Sequence, residues 1–114
     1  MTSTHSSKMK RILVICSKNK WRGPTAEAIY RRDPRVQVRS AGLSPSSAHK
    51  VSVKDLYWAE QILYMEKDHL EKLRKLFPKA ELPPTMDLEI ADNYRFMDPE
   101  LVMMLKEKIE PLLV

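Results

Sequence analysis

The sequence has little cysteine and no long apolar run. Cys16 is the single cysteine among 114 residues. A lone cysteine excludes a disulfide within the chain, a metal site of four thiolates, and redox chemistry between two cysteines of one chain. The longest apolar runs have about five residues, whereas a membrane-spanning helix needs roughly 20. We therefore expect a protein with no membrane partner.

The remaining composition favours one small globular domain. A chain of 114 residues, 43% of them hydrophobic, can bury one modest core. The formal charge of +5 suits anionic partners, but basic and acidic residues are mixed and no recognition motif is present, so we expect no nucleic-acid partner. Residues 1–8 are polar and lack the apolar core of a signal peptide. We expect a disordered tail over 1–8, one domain over 9–114 and a cytoplasmic location.

The stretch from residue 11 to residue 27 combines a strand, a loop and the start of a helix. Four apolar residues, ILVI, precede Cys16, and Arg22 follows after a loop of five residues. Gly-Pro then opens a helical stretch, since proline is favoured in the first helical position. No acidic residue occurs before Glu27. This order predicts a phosphate-binding loop with a cysteine at its base.

The chemistry of a phosphoryl group explains this set of residue types. Backbone N–H groups of a tight loop and a helix N-terminus converge on phosphate oxygens, so we expect phosphate to be bound by Ser17, Lys18, Asn19, Lys20, Trp21 and Arg22. The Arg22 guanidinium can grip two oxygens. The same positive field favours a thiolate, so we expect the pKa of Cys16 to fall below about 8.5 and the thiolate to attack phosphorus. Because Arg22 and the loop amides neutralise the phosphate, we expect no metal and no cofactor.

A simpler interpretation of the cysteine stays open at this point. A lone cysteine is often only a small buried apolar side chain, and one Cys-x5-Arg match is a weak signal by itself. The loop also contains no glycine, although a phosphate-binding loop usually needs one residue with positive φ. Asparagine tolerates that conformation, so we predict it at Asn19.

Apolar patterns along the chain alternate between strands and helices. We predict strands over about 10–16, 36–39, 61–65 and 86–90, and helices over about 24–32, 52–59, 68–77 and 99–113. Ser52 with Asp55, and Asp68 with Glu71, are the predicted capping pairs of the middle helices. Alternating elements predict an α/β fold with a parallel sheet and helices on both faces. Ligands of such sheets bind at the carboxyl ends of the strands, where Cys16 lies.

A phosphatase would need a general acid to protonate the leaving group. Two aspartates follow the last predicted strand. Asp92 comes directly after it, at the same edge of the sheet as Cys16. Asp98 precedes Pro99, which is the pattern of an N-cap followed by proline in the first helical position. We therefore predict that Asp92 is the catalytic acid and that Asp98 is a helix cap.

The segment CSKNKWRGPTAE resembles the loop of the low-molecular-weight protein tyrosine phosphatase family, Cys-x5-Arg-Ser-Pro-x-Ala-Glu. The resemblance extends in pieces over residues 10–113: SAG at 40–42, AHK at 48–50 with the following VSVKDLYWAEQILYMEKDHL, and DNY at 92–94. It implies a single three-layer domain of the phosphotyrosine protein phosphatase I type, with sheet order 2-1-3-4. It also implies a phosphomonoester hydrolase that acts through a phosphocysteine on Cys16, with Arg22 and Asp92 as its other catalytic residues.

The same resemblance implies a set of supporting residues and partners. Asn19, Ser40 and His49 match the polar network that holds the family's loop, and Tyr94 matches an aromatic side chain beside the family's site. With Trp21, Tyr94 is the predicted rim of the pocket. The implied ligands are inorganic phosphate or a similar oxyanion in the loop, and a phosphorylated protein or a small phosphomonoester as substrate.

Three departures from the family pattern bear on activity. Gly23 stands where the family has a serine whose hydroxyl donates to the cysteine, and Asn93 replaces the proline after the acid. The segment 43–47 is shorter than its family counterpart, which carries an aromatic wall of the pocket. Two alternatives to a phosphatase therefore remain. One is a non-catalytic phosphate- or phosphoprotein-binding module. The other is a phosphocysteine carrier, against which Arg22 and Asp92 argue.

Overall fold

The computed structural model of the protein describes residues 9–114, so the predicted disordered tail over 1–8 lies outside the described residues. Strands and helices alternate along the chain. The strands are β1 (Lys10–Cys16), β2 (Val36–Gly42), β3 (Gln61–Tyr64) and β4 (Thr85–Asp87). The helices are α1 (Arg22–Ile29), α2 (Val53–Trp58), α3 (Lys67–Leu76) and α4 (Pro99–Ile109), and a 3-10 turn over Glu110–Leu113 follows α4.

The strands form one parallel sheet in the order β2-β1-β3-β4, which confirms the predicted order. β1 pairs with β2 along its whole length, from Lys10 opposite Val36 to Cys16 opposite Gly42. Its other edge pairs with β3. A central strand of a parallel sheet is covered on both faces, which explains why its apolar residues are consecutive. Cys16 ends this strand at the carboxyl edge of the sheet, where the strand order reverses and ligands bind in such folds.

Apolar side chains fill a layer on each face of the sheet. On one face, β1 packs against α1 and α4 through Ile12 and Val14. On the other face, β1 packs against α2 and α3 through Leu13 and Ile15. The helix α4 buries one stripe at a spacing of four residues, formed by Leu101, Leu105 and Ile109. The predicted three-layer α/β arrangement is confirmed.

Two predicted helix caps are confirmed. The Ser52 hydroxyl accepts the backbone N–H of Asp55, and the Asp55 carboxylate accepts the backbone N–H of Ser52, so α2 begins with a capping box. The Asp98 carboxylate accepts the backbone N–H of Glu100 at 2.9 Å, and Pro99 is the first residue of α4. No helix within residues 9–114 has the length and apolar character needed to cross a membrane.

Other helix boundaries differ from the prediction. The helix α1 begins at Arg22 rather than Pro24 and ends at Ile29. The predicted cap of α3 by Asp68 is wrong, because α3 begins at Lys67 and Asp68 already lies inside its first turn. Asp68 pairs instead with Lys72 one turn later, at 3.2 Å. Aligned carboxylate and ammonium groups at this spacing support the helix itself rather than its end.

The strand boundaries also need correction. The strand β2 continues to Gly42, so Ser40 belongs to the strand. The strand β4 ends at Asp87 instead of Ile90, because Glu89 has a φ of 54° and interrupts the extended backbone. The Ile90 N–H still bonds to the Met65 carbonyl, which keeps the chain beside β3. Asp92 therefore follows this irregular segment rather than the strand itself.

Candidate active site

A tight loop joins β1 to α1 and encloses the sulfur of Cys16. Cys16 is buried, and the backbone N–H groups of Asn19, Lys20 and Gly23 lie around its sulfur, where they act to lower the pKa of the thiol. Asn19 has a φ of 52°, which confirms the predicted position of the positive-φ residue. This conformation turns the backbone so that successive N–H groups face inward, as in other anion-binding loops. The loop thus presents an array of donors around the thiol.

The predicted low pKa of the Cys16 thiol is wrong for this structure. Burial raises the pKa of the thiol above its ordinary value. The hydrogen bonds from the loop N–H groups and the positive charge of Arg22 lower the pKa, but they do not overcome the effect of burial. The neutral thiol is therefore favoured more than the sequence pattern indicated.

The guanidinium of Arg22 is buried at the first turn of α1 and is held from two sides. Its Nη1 donates to a carboxylate oxygen of Glu66 at 2.6 Å and to the carbonyl of Ile90 at 2.7 Å. Its Nε lies 3.6 Å from a carboxylate oxygen of Asp92. Because Nη1 is used by the protein, the edge formed by Nε and Nη2 is the part of the fork suited to an oxyanion.

The predicted catalytic residues line one cavity of about 370 Å³ at the carboxyl edge of the sheet. Its walls are formed by Cys16, Ser17, Lys18, Lys20, Trp21, Arg22 and Asp92. Of the predicted phosphate-binding residues, Asn19 lies behind the loop, where its side chain is buried. Of the predicted rim residues, Trp21 lines the cavity, with the Lys20 ammonium 4.8 Å from its ring centre. Tyr94 is outside the lining and packs against the α1 and α4 side of the core.

The residues predicted to hold the loop surround a second, smaller cavity behind it. This cavity of about 250 Å³ is lined by Asn19, Glu27, Arg39, Ser40 and His49. The hydroxyl of Ser40 donates to Glu27 at 2.6 Å, and Nε2 of His49 lies 3.0 Å from a carboxylate oxygen of Asp55. Within residues 9–114 the Asn19 Oδ1 has no hydrogen-bond partner. The structure thus brings these side chains together, with hydrogen bonds directed to neighbouring carboxylates.

Gly23 stands between the two cavities. A Cβ atom added there would lie 3.3 Å from the Cys16 sulfur, 3.2 Å from Asn19 Oδ1 and 3.0 Å from the Ser40 Cβ. A hydroxyl one bond further out could therefore reach either the thiol or the unpartnered amide oxygen. Position 23, which has no side chain in this sequence, thus lies beside both groups.

The shortened segment 43–47 is fastened to the phosphate loop by backbone hydrogen bonds. The N–H of Leu43 donates to the Cys16 carbonyl, and the N–H of Ser44 donates to the Ser17 carbonyl at 2.8 Å. An adjoining apolar cavity of about 340 Å³ opens where this segment meets α3, lined by Ser17, Leu43, Ser44, Lys72, Lys75 and Leu76. Ser17 lines both this cavity and the one that holds Cys16 and Arg22, so the two cavities are neighbours.

Two site residues were missed from the sequence, Glu66 and His69. Glu66 holds Arg22, and Nε2 of His69 lies 3.1 Å from the Ser17 hydroxyl oxygen. Both follow β3, and the carboxyl ends of parallel strands meet at one edge of the sheet, so both lie at the same edge as Cys16. The sequence signal was present in MEKDHL, directly after the third strand.

No protein-family model and no curated protein matches the sequence. Solved structures do match. The tyrosine phosphatase Wzb from Escherichia coli K30, solved with phosphate, has a TM-score of 0.73 at 24% identity, covering 93% of this chain and 97% of that chain. A low-molecular-weight phosphotyrosine phosphatase from Vibrio cholerae has a TM-score of 0.72 at 21% identity, covering 91% and 94%. The YwlE arginine phosphatase from Geobacillus stearothermophilus has a TM-score of 0.63 at 24% identity, covering 91% and 88%.

These matches define the fold of the chain. It is the α/β fold of the low-molecular-weight protein tyrosine phosphatases, present over more than nine-tenths of the chain. The resemblance found in the sequence is confirmed for the fold. In this fold the loop after the first strand lies at the edge of the sheet where ligands bind.

Proposed function

We propose that the protein is a phosphomonoester hydrolase that acts through a phosphocysteine on Cys16. One observation carries the proposal: a buried thiol, a buried guanidinium and a carboxylate meet around one cavity where β1 passes into the first turn of α1. The solved phosphatases of the same fold support it, and one of them was solved with phosphate. A nucleophile, an oxyanion binder and an acid are the three groups that this reaction requires.

The mechanism divides into two displacements at phosphorus. The Cys16 thiol gives its proton to solvent, and the resulting thiolate attacks phosphorus while the Arg22 guanidinium and the loop N–H groups hold the three non-bridging oxygens. The bond from phosphorus to the ester oxygen breaks, and that oxygen takes a proton from the Asp92 carboxyl. The resulting Asp92 carboxylate then takes a proton from water, which attacks phosphorus and releases the Cys16 thiolate. Asp92 lies beside Arg22 and is the exposed member of the pair, as an acid facing the leaving group should be.

The substrate class we propose is an aryl phosphate, such as a phosphotyrosine side chain or a small aryl phosphomonoester. Trp21 at the cavity wall can stack on an aromatic leaving group, and Lys18 and Lys20 attract an anion. The fold alone does not define the substrate, because solved structures with this fold include both tyrosine phosphatases and an arginine phosphatase. A nucleophilic thiol stays reduced in the cytoplasm, which is the location we propose.

The Cys16 environment favours a second candidate function, a phosphate-binding module without turnover. Burial raises the pKa of the thiol, and position 23 supplies no hydroxyl to stabilise the thiolate. Such a protein would keep the loop N–H groups and Arg22 but form little nucleophile. We favour the hydrolase because a binding module has no use for a carboxylate beside Arg22, where it repels an anion.

Trapping the covalent intermediate tests the proposal. With p-nitrophenyl phosphate the leaving group needs little protonation, so the Asp92→Asn variant should form phosphocysteine but hydrolyse it slowly. Acid quenching followed by mass spectrometry should find one phosphoryl group on the peptide that contains Cys16, and none in Cys16→Ser. Release of p-nitrophenol at the same rate in Cys16→Ser would rule out the mechanism. Binding of inorganic phosphate without any release would support the binding module.

A further inference from the structure

A buried histidine lies directly behind the phosphate loop and plays no part in the mechanism above. His69 is 1% exposed in the first turn of α3. The backbone N–H of Met65 donates to its Nδ1 at 3.2 Å. A ring nitrogen that accepts a hydrogen bond carries no proton, so the neutral ring has its proton on Nε2. Burial, followed by the charge of Arg22, lowers the pKa of His69, which keeps the ring neutral.

Among the described residues, the acceptor nearest to Nε2 is the hydroxyl of Ser17, at 3.1 Å. A hydroxyl that accepts a hydrogen bond from the ring keeps its own proton for another partner. Ser17 follows Cys16 in the chain and lines the cavity that holds Arg22 and Asp92. The tautomer of His69 therefore fixes Ser17 as a donor rather than an acceptor at this cavity.

The charged groups around His69 leave this arrangement intact. The nearest carboxylate oxygen of Glu66 is 3.7 Å from Nε2, and that same oxygen accepts Nη1 of Arg22 at 2.6 Å. On α3, Asp68 precedes the histidine and pairs with Lys72 across one turn. Glu66 and Asp68 favour the protonated ring, while Arg22 and Lys72 oppose it, and burial decides for the neutral form.

We propose that His69 is a positioning residue that orients the Ser17 hydroxyl as a donor to an oxyanion in the loop. The proposal rests on the oxyanion site of the proposed function. The Ser17 hydroxyl donates to the bound oxyanion, whereas a hydroxyl at position 23 would donate to the Cys16 sulfur. Ser17 stabilises negative charge from the β1 side of the loop, whereas a residue at position 23 would act from the α1 side.

Binding of inorganic phosphate tests this inference without any need for turnover. Isothermal titration calorimetry would compare wild type with Ser17→Ala, His69→Asn and the double variant. Loss of one hydrogen bond to a charged acceptor should weaken phosphate binding about 10-fold in Ser17→Ala. In His69→Asn the side-chain carbonyl can still accept the backbone N–H of Met65, but no donor remains at the position of Nε2. This variant should therefore bind phosphate at least about threefold more weakly. In the double variant the histidine change should add nothing further.

A matched variant separates orientation from folding. His69→Gln places an amide N–H near the former Nε2, so it should bind phosphate more tightly than His69→Asn. Equal binding by wild type and Ser17→Ala, or a full additional loss from His69→Asn in the Ser17→Ala background, would overturn the inference. If His69→Asn does not fold, the comparison of wild type, Ser17→Ala and His69→Gln decides. Failure of the wild type to bind phosphate would instead overturn the oxyanion site itself.

Discussion

A hydroxyl added at position 23 should make Cys16 a better nucleophile. In Gly23→Ser the new Cβ would lie 3.3 Å from the Cys16 sulfur and 3.2 Å from Asn19 Oδ1. The hydroxyl can donate to the thiolate as it forms or leaves, and otherwise to the amide oxygen that has no partner within residues 9–114. A hydrogen bond to a charged acceptor contributes about 1.5–3 kcal/mol. That range corresponds to a rate increase of about 10- to 100-fold.

Crowding acts against this gain, and a control variant measures it. The added Cβ would come within 3.0 Å of the Ser40 Cβ, so Ser40 must shift by a few tenths of an ångström. Overpacking of this kind costs about 1 kcal/mol or more. Gly23→Ala introduces the same Cβ without a hydroxyl, so the serine and alanine variants share the crowding. Their ratio isolates the hydroxyl.

Two assays compare the serine and alanine variants. Turnover of p-nitrophenyl phosphate should be about 10- to 100-fold faster in Gly23→Ser than in Gly23→Ala. The pH dependence of Cys16 alkylation by iodoacetamide should report a lower thiol pKa in the serine variant, whether or not the enzyme turns over. Equal rates and equal alkylation profiles in the two variants would show that a hydroxyl at position 23 does not stabilise the Cys16 thiolate.

Three further predictions concern the acid, the last residue of β2 and the buried histidine. Asp92→Asn should slow hydrolysis of alkyl phosphates about 10²- to 10⁴-fold, whereas Asp98→Asn should change it little, because asparagine also caps a helix. Gly42→Ala should lower stability by about 1–3 kcal/mol in a denaturant titration, since the new Cβ would lie 2.1 Å from the Ser47 hydroxyl oxygen. Wild-type stability should fall in acid as pH drops through the lowered pKa of His69, and His69→Asn should have a flatter profile there.

The sign of the histidine prediction follows from proton linkage. Because burial lowers the pKa of His69, the unfolded chain takes up a proton at a higher pH than the folded chain. The contribution of the neutral His69 ring to the free energy of unfolding is therefore fully present above the ordinary histidine pKa and lost on acidification. If the stability of His69→Asn depends on pH in the same way as that of the wild type, the histidine prediction is wrong. Loss of turnover in Asp98→Asn alone would contradict the acid assignment, and unchanged stability of Gly42→Ala would contradict the close packing at that glycine.

Much of the fold could be predicted because its signals are local. The consecutive apolar residues before Cys16 gave the bounds of β1, since a strand covered on both faces needs no polar side. The capping pattern at Ser52 and the Asp98-Pro99 pair marked real helix starts. The end of β4 could not be predicted, because it depends on the positive φ of Glu89, a residue with no local preference for that conformation.

The candidate site was predicted less completely, because its energetics depend on residues distant in sequence. The pKa of Cys16 reflects burial beneath a folded loop, which no spacing rule reports. Arg22 was expected to bind two phosphate oxygens, but its Nη1 donates to Glu66, the residue that precedes α3. Ser40 and His49 were matched to a family network, but in this chain they bond to Glu27 and Asp55. These side chains become partners only when elements distant in sequence are packed together.

The most direct test for a cysteine phosphatase is the hydrolysis of p-nitrophenyl phosphate in buffer with a metal chelator, with Cys16→Ser as the blank. We expect turnover by the wild-type chain, competitive inhibition by inorganic phosphate, and no turnover by Cys16→Ser. Wild-type turnover that does not exceed the blank, while inorganic phosphate still binds, would contradict a cysteine phosphatase and leave the loop as a binding site.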